Sequence, residues 1–471
     1  MRDGTMETWD VVVVGAGPAG LAAATLAGQA GASTLLVDEN PAPGGQIYRA
    51  VTETPVKDKR ILGADYWSGG RLVETFVASG AEAMHGTTVW SLDPDRVLGI
   101  SRGGKAHLLQ AGRVIVATGA QERPFPIPGW TLPGVMTVGA AQTLLKASGI
   151  LPAGRTVIAG LGPLLWLYAA QVLRAGGTID AILDTTPRAN WIAAASHAPG
   201  FLLSPLWRKG LALMKEVRAR VPQFTNVVSI AAEGEGAVRA VTFKIASGLE
   251  RRMEVDTLLL HQGVVPNVNL AMAAGAKHVW DDRQCCFVPV LDDGFESSVP
   301  GIHIAGDGAG IAGAWAAEER GRLAAIAAVR ALRPEASLPD DQAFRQLLSR
   351  HERGRAFIDA LYLPPASFRV PEVDGTVVCR CEEVTAGEIR KVVALGCEGP
   401  NQMKAFLRCG MGPCQGRMCG LTVSELIATE RGVPTADVGY YRLRPPVKPI
   451  ALAELAQLPA GDEATKAVVR L

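Results

Sequence analysis

The 471-residue chain reads as an α/β protein made of two Rossmann-like units and a small helical C-terminal unit. Three observations predict this. A buried apolar strand near the N-terminus runs directly into a glycine turn and an alanine-rich helix. The same pattern returns 145 residues later, and six of the eight cysteines lie between Cys379 and Cys419. The length also exceeds what one ordinary core fills, so two to three domains are expected.

The first unit opens with Trp9 to Val14, WDVVVV, a continuous apolar run suited to a parallel strand buried on both faces. Gly15-Ala16-Gly17-Pro18-Ala19-Gly20 follows, then the helical pattern LAAATLAGQAG. In a strand–turn–helix of this kind Gly15 permits the tight turn, Gly17 lets the backbone approach a pyrophosphate, and Gly20 lets helix pack on strand. The helix N-terminus adds N–H groups and a positive dipole for the phosphates. A second strand, Thr34 to Val37, ends in Asp38 and Glu39. Asp38 stands eighteen residues after Gly20, where a carboxylate can accept from an adenosine ribose.

Three more segments extend the site. Residues 38–49, DENPAPGGQIYR, put Gly44, Gly45 and Gln46 just past the ribose position. Val114 to Gly119, VIVATG, is another buried strand with a small-residue exit at Thr118 and Gly119; Ile302 to Gly308, IHIAGDG, carries Gly306 and Asp307. Asp307 alone would read as an N-cap after a strand. Taken in order, these four motifs resemble the two-dinucleotide-domain flavoproteins over about Val11 to Leu332. The resemblance implies an FAD site formed by Gly15, Gly17, Pro18, Ala19, Gly20, Asp38, Glu39, Gly45, Gln46, Val89, Thr118, Gly119, Gly306 and Asp307. An aspartate like Asp307 holds the ribityl chain in that family. An adenine nucleotide other than FAD stays open for the same turn.

The second unit repeats the fingerprint as Gly160-Leu161-Gly162-Pro163-Leu164-Leu165, with a strand following at Ile179 to Leu183. The third glycine has become Leu165, and the same offset carries Asp38 onto Leu183, leaving an acid only at Asp184. The fold repeat is therefore expected while pyridine-nucleotide binding is not. No Cys-x-x-Cys lies near this repeat. Cys285 and Cys286 precede an apolar FVPV strand and read as structural thiols. His261, in LLLHQGVVPNVN, is a candidate contact to the first site, against the ordinary reading of a satisfied core histidine.

A helical pattern runs to Leu332, another from Asp340 to Leu363, and residues 364–375, PPASFRVPEVDG, make a linker. Thr385-Ala386-Gly387-Glu388 reads as a capping box that opens a helix closed by Gly396; Asn401 is a candidate cap for a second helix, and a third covers Leu421 to Thr429. The cysteines fall at the joints: Cys379-x-Cys381, thirty-two residues, then Cys414-x4-Cys419. Four thiolates in two separated pairs suit tetrahedral zinc or an iron–sulfur cluster. The words CRCEEVT and GMGPCQGRMC resemble the bacterioferritin-associated-ferredoxin-like module, which implies a [2Fe–2S] cluster on Cys379, Cys381, Cys414 and Cys419. Cys409 is then assigned to packing or the ligands' surroundings, and Cys397 to structure. Gly410, Gly412 and Gly416 are read as leaving backbone N–H groups free to approach the sulfurs.

The domain limits that follow are 1–125 with 285–335 for the FAD-binding unit, 126–284 for the degenerate second unit, 336–373 for a helical linker, 374–437 for the cysteine unit and 438–471 for a C-terminal tail. This order, with YYRLRPPVKPIALAELA at 440–456, resembles the A or alpha subunits of bacterial heteromeric amine dehydrogenases, a family that includes opine oxidases, hydroxyproline dehydrogenases, sarcosine oxidase alpha subunits and hydrogen cyanide synthase. The resemblance implies an electron-transfer subunit. It further implies a companion flavoprotein (beta or B) subunit that oxidises the C–N bond of an amino acid, opine or other secondary amine. A small third subunit, an FMN at a subunit boundary and a downstream electron acceptor belong to the same expectation.

No catalytic constellation of an activated nucleophile or paired acid and base is legible in this chain. A self-sufficient NAD(P)H-dependent reductase passing electrons through the cluster is the alternative, and a non-enzymatic iron–sulfur binding protein a third. Forty-seven Lys+Arg against forty-six Asp+Glu provide no field to gather nucleic acid. No apolar run of transmembrane length occurs and the first residues carry no signal pattern, so a cytoplasmic protein is expected, with peripheral association with the respiratory membrane through its complex.

Overall fold

The computed structural model of the chain describes residues 6–458. Its first unit is built on a seven-stranded sheet whose path runs Glu82–Met84, Thr34–Val37, Glu7–Val14, Lys105–Val116, Val97–Arg102, Thr87–Leu92, with Ile302–Ile304 pairing parallel to the end of Lys105–Val116. One long strand thus serves three partners: its first half pairs antiparallel with Val97–Arg102, and its second half pairs parallel with Glu7–Val14 and Ile302–Ile304. Alternate residues of Glu7–Val14 feed two different cores. Val11 and Val13 face helices, while Val12 and Val14 face the layer with Leu98 and Ile100, so an unbroken apolar strand is what this position requires.

Helix Pro18–Gln29 starts on Pro18, whose missing N–H costs nothing at a helix start. Helix Ala314–Leu332 lies along it. Their approach is so close that a Cβ on Gly321 would stand 2.1 Å from the Ala19 carbonyl oxygen.

The second unit carries a five-stranded parallel sheet, Gln223–Thr225, Ala181–Asp184, Thr156–Leu161, Thr257–Gln262, Val135–Thr137, covered on one side by an antiparallel layer of Val227–Glu233, Ala240–Ile245 and Glu250–Glu254. The chain crosses between the units through one small ribbon, Ala120–Glu122 against Val264–Pro266. Between strands Ala181–Asp184 and Gln223–Thr225 three helices intervene, Arg188–Ala195, Ala198–Leu202 and Leu206–Arg218.

The cysteine unit packs three helices, Ala386–Ala394, Pro400–Leu407 and Gly420–Arg431, around a core that includes Cys379, Cys409 and Cys419. The Thr385–Glu388 capping box forms, and Gly396 follows its helix with φ +99°. Asn401 caps nothing; it lies inside the helix that starts at Pro400, where its side chain accepts from Arg442 N (2.7 Å) and donates to Tyr440 O (3.3 Å).

Residues 440–448 depart from the expected tail, of which residues 459–471 lie outside the described residues. Tyr441 and Leu443 are buried in the cysteine unit's core, and Val447 is buried against the first unit, its N–H donating to Trp90 O at 2.8 Å. Residues 440–448 are therefore a strap. The segment expected as a helical linker is likewise packed down, with Phe344 against the core of the first unit and Asn190 donating to the carbonyls of Leu361 and Leu363.

Candidate functional site

The glycine turn shapes one end of a continuous cavity of about 1060 Å³. Gly15 has φ +107°, and a Cβ there would meet the Ala117 carbonyl oxygen at 2.4 Å; a Cβ on Gly20 would lie 1.8 Å from Gly15 O. Neither position tolerates a side chain. Of the fourteen residues expected at the cradle, all but Gly20 line the cavity, and Gly20 does its work behind it by bringing helix onto strand.

Asp38 holds the turn together. Its Oδ2 accepts from Ala16 N (2.5 Å) and its Oδ1 from both nitrogens of Asn40 (2.7 Å each), which fixes the corner where a ribose would sit. Glu39 is exposed and pairs with Lys448 of the strap at 2.7 Å. At the other side of the sheet Asp307 Oδ1 accepts from Ala312 N (2.8 Å) and Gly313 N (3.0 Å), so the carboxylate also tethers the loop entering helix Ala314–Leu332. The turn fits a pyrophosphate because it combines a close-approach backbone with the unpaired first-turn N–H groups of a helix.

Deeper in the same cavity lies a pair that sequence reading only half found. His261, buried at the end of Thr257–Gln262, places Nδ1 2.7 Å from Glu122 Oε1, while Glu122 Oε2 accepts from Gly139 N at 2.9 Å. Glu122 comes from the crossing ribbon, 139 residues away in sequence. Lys146 was also not foreseen. It is buried, donates to Gln46 O (3.2 Å), Ile47 O (3.0 Å) and Gln142 Oε1 (2.8 Å), and so pins the loop that carries Gly45 and Gln46. Burial pushes its pKa down to about 7. A lone Lys in an amphipathic helix gives no sequence signal of this.

The second fingerprint forms the same turn without the same surroundings. Gly160 is at φ +137° against the His261 carbonyl and Gly162 follows at φ +111°, but Leu165 is buried in the core shared with the first unit. Beyond Gly162 the cavity wall carries Leu164, Leu167, Phe201, Trp207 and Met214, with Lys209 and Arg355 paired to Asp65 and Asp359. Asp184 is turned to Thr186 N (2.9 Å), and burial raises its pKa.

In the cysteine unit the sulfurs of Cys379, Cys409 and Cys419 lie within 4.8 Å of one another, all buried. Cys381 and Cys414 are partly exposed and adjacent: both the backbone N–H and the thiol of Cys414 reach Cys381. Of the four residues expected as ligands, Cys379 and Cys419 belong to this buried group, while Cys381 and Cys414 stand outside it. Cys409, expected in packing or the ligands' surroundings, lies within the same 4.8 Å of Cys379 and Cys419. Thiol donation from Cys409 and Cys419, with the amides of Gly410 and Glu382, holds the Cys379 pKa far below the usual thiol range, and the same contact to Cys379 pushes Cys409 up to about 12. Three buried sulfurs this close together are the chemistry of a soft-metal donor set.

The glycines of this loop have a second reason beside the expected amide approach, which Gly410 makes to Cys379. A Cβ on Gly410 or Gly416 would lie 2.5 and 2.6 Å from the ring of Tyr441, and one on Gly420 would lie 2.1 Å from Tyr440 Oη. Both tyrosines come from the strap, and Tyr441 Oη stands 3.7 Å from Cys419 Sγ. The glycines make room for an aromatic roof. Gly412 alone faces the cysteines, where a Cβ would meet Cys381 Cβ at 2.2 Å.

The cysteine loop is also a wall of the nucleotide cavity. Arg417 and Met418 line it together with Thr118 and Asn267. Gln121 Nε2 donates to Arg417 O (2.8 Å) and Asn269 Nδ2 to Gln415 O (2.9 Å). Behind the loop, Phe287 packs edge-on to Tyr440 with centroids 5.3 Å apart. Glu425, buried in helix Gly420–Arg431, pairs with Arg123 of the first unit (3.7 Å) and with Arg369. Cys285, Cys286 and Cys397 lie outside the cysteine cluster: Cys286 is buried with its pKa raised to about 12, and Cys397 donates to Gly399 O at 3.4 Å.

Comparison with known proteins agrees with this architecture. Residues 9–331 match the pyridine nucleotide-disulphide oxidoreductase family and residues 375–458 the sarcosine oxidase A3 domain. The chain is 48% identical to the A-type subunit of opine oxidase from Agrobacterium tumefaciens, over 98% of this chain and 94% of that one. It is 32% identical to the HcnB subunit of hydrogen cyanide synthase from Pseudomonas aeruginosa, over 96% and 99%. The alpha subunit of sarcosine oxidase from Rhizobium meliloti is 27% identical over 96% of this chain, which spans 43% of that longer protein. Among solved structures, L-proline dehydrogenase from P. horikoshii superposes with a TM-score of 0.72 at 20% identity, covering 97% of this chain and 81% of that one.

Proposed function

The chain belongs to the pyridine nucleotide-disulphide oxidoreductase family and, over nearly its whole length, to the family of opine oxidase A subunits, and we propose that it is the electron-transfer subunit of a heteromeric enzyme oxidising the C–N bond of an opine or related secondary amine. In this reading the cradle from Gly15 to Asp307 holds FAD and the cysteine loop holds a [2Fe–2S] cluster on Cys379, Cys381, Cys414 and Cys419. One observation carries it: the cysteine loop, through Arg417 and Met418, is a wall of the same cavity as the glycine turn. Bound there, FAD and a [2Fe–2S] cluster would supply conversion between two-electron and one-electron transfer.

The chain's own residues do the rest. The helix start after Gly17 and the corner set by Asp38 bind and orient the nucleotide. The Glu122–His261 pair can hold or pass a proton deep in the cavity, since its imidazole and carboxylate are 2.7 Å apart. Tyr440 and Tyr441 keep water from the buried sulfurs. Ile47 and Met136, both exposed and both lining the cavity, mark the side on which a companion flavoprotein subunit, with an FMN at the boundary, would sit.

The reductase alternative is disfavoured by Leu165, which stands buried where the first fingerprint has its third glycine. The test is the purified single chain. It should carry FAD, two irons and two labile sulfides, oxidise no opine or sarcosine until its partner is added, and remain oxidised under anaerobic NADH or NADPH. Amine turnover by the single chain, or rapid bleaching of its flavin by NAD(P)H, would overturn the proposal.

A further inference from the structure

The segment from Arg188 to Arg220 differs from the rest of the chain. The whole protein is almost charge-neutral, yet this stretch holds six Lys/Arg and a single carboxylate, Glu216. It also displays large apolar side chains to solvent: Ile192 is 79% exposed, Leu203 73%, Leu202 59%, Leu211 55% and Trp191 49%. Helix Leu206–Arg218 buries only Val217. Single exposed apolar residues need no explanation, but a run of them within one short basic segment does.

We propose that helices Arg188–Ala195, Ala198–Leu202 and Leu206–Arg218 form a surface that lies on an anionic lipid bilayer. Lipid headgroups would meet Arg208, Lys215, Arg218 and Arg220, while Trp191, Ile192, Leu202, Leu203 and Leu211 enter the acyl boundary, the division of labour of an interfacial amphipathic helix. Charge complementarity argues for this occupant, because a patch with six cations and one carboxylate matches an anionic surface. No helix among the described residues is long and apolar enough to cross a membrane, so the contact is peripheral. A second observation points the same way. Trp191 and Leu211, both exposed, are also walls of the cavity whose apolar arm runs inward past Phe201, Trp207 and Met214. The patch therefore rims an apolar opening, which is what a surface resting on lipid can use and a purely structural one would have closed.

The inference goes beyond the electron-transfer reading and stands or falls separately, since vesicle binding and cofactor content are independent measurements. The full chain and the assembled complex are sedimented with vesicles of phosphatidylcholine alone and of phosphatidylcholine with phosphatidylglycerol. Both should bind the anionic vesicles and neither the neutral ones. Arg208→Gln and Lys215→Gln should each weaken binding about fivefold, and Ile192→Glu with Leu203→Glu on the order of 100-fold, with flavin and iron content unchanged. Equal binding to both vesicle types, or no binding to either, overturns the proposal. So does a complex that ignores vesicles and falls apart when Ile192 and Leu203 are replaced, because the patch would then be an interface between subunits.

Discussion

Glu425→Ala should loosen the cysteine unit from the first unit by far more than a surface substitution would. Glu425 and Arg123 side chains are 4% and 3% exposed, and Arg369 is only 18% exposed. The carboxylate is shared by two guanidinium groups, and Arg123 also donates to Gln284 O (2.6 Å) and Cys285 O (2.9 Å), so it cannot swing out to water without breaking those bonds. Removing one partner of a buried pair costs about 3–5 kcal/mol, because the charge left behind stays desolvated. At ~1.4 kcal/mol per factor of ten, the undocked state becomes about 150- to 4000-fold more populated. Native-state hydrogen exchange reads this directly: the amides of Val264 and Val265 and of helix Gly420–Arg431 should lose protection together, while Glu7–Val14 keeps its own. Replacing Glu425, Arg123 and Arg369 all by apolar residues should restore much of the protection, since the desolvation cost leaves with the charges. Exchange within about threefold of wild type in Glu425→Ala, or no recovery in the triple variant, would refute the argument.

Other expectations follow from the same geometry. Cys414→Ser should abolish the visible iron–sulfur bands and labile sulfide whereas Cys409→Ser should keep both; the opposite result would move the fourth ligand into the buried trio. Gly416→Val forces a side chain where φ is +79° and the Tyr441 ring is 2.6 Å from the Cβ position. It should cut iron content several-fold with every cysteine intact, as measured by metal analysis. Lys146 has a folded pKa lowered from 10.5 to about 7, so between those values the unfolded chain binds the extra proton and stability rises with pH. Wild type should gain up to about 1.4 kcal/mol per pH unit relative to Lys146→Met from about pH 7.5 to 9 in urea titrations, with no differential slope below about pH 6.5. A falling difference in that window would reverse the assignment.

The Rossmann units were legible because their information is local. A strand, three glycines and an acid within some thirty residues determine the turn, and the residues they imply do line one cavity. The second fingerprint, with Leu165 in place of its third glycine, likewise forms the repeat's strand, turn and helix. What escaped were groups defined by distant partners. Glu122 matters because His261 arrives 139 residues later, and Glu425 because Arg123 and Arg369 converge on it from two other segments. The glycines around Cys414 were given a local purpose, but their partners, Tyr440 and Tyr441, lie well downstream in what read as a tail. Spacing can say which cysteines resemble a motif. It cannot say that Cys409 folds in beside Cys379 and Cys419, since that depends on how the loop is roofed.

The strap has a consequence for how the protein is made. Residues 440–448 supply the roof over the cysteines, the Val447 contact to Trp90 and the Lys448 partner of Glu39. The glycine turn leaves the ribosome long before the strap does, yet the cavity it opens is finished by the strap. Domains fold as units in order of synthesis, so the first unit forms early with its nucleotide groove still open at the ribose end and the cysteines still bare. The nucleotide groove and the cysteine loop therefore both close in a single late event. A fusion partner or truncation that restrains the C-terminal strap would act on the N-terminal site as surely as a substitution within it.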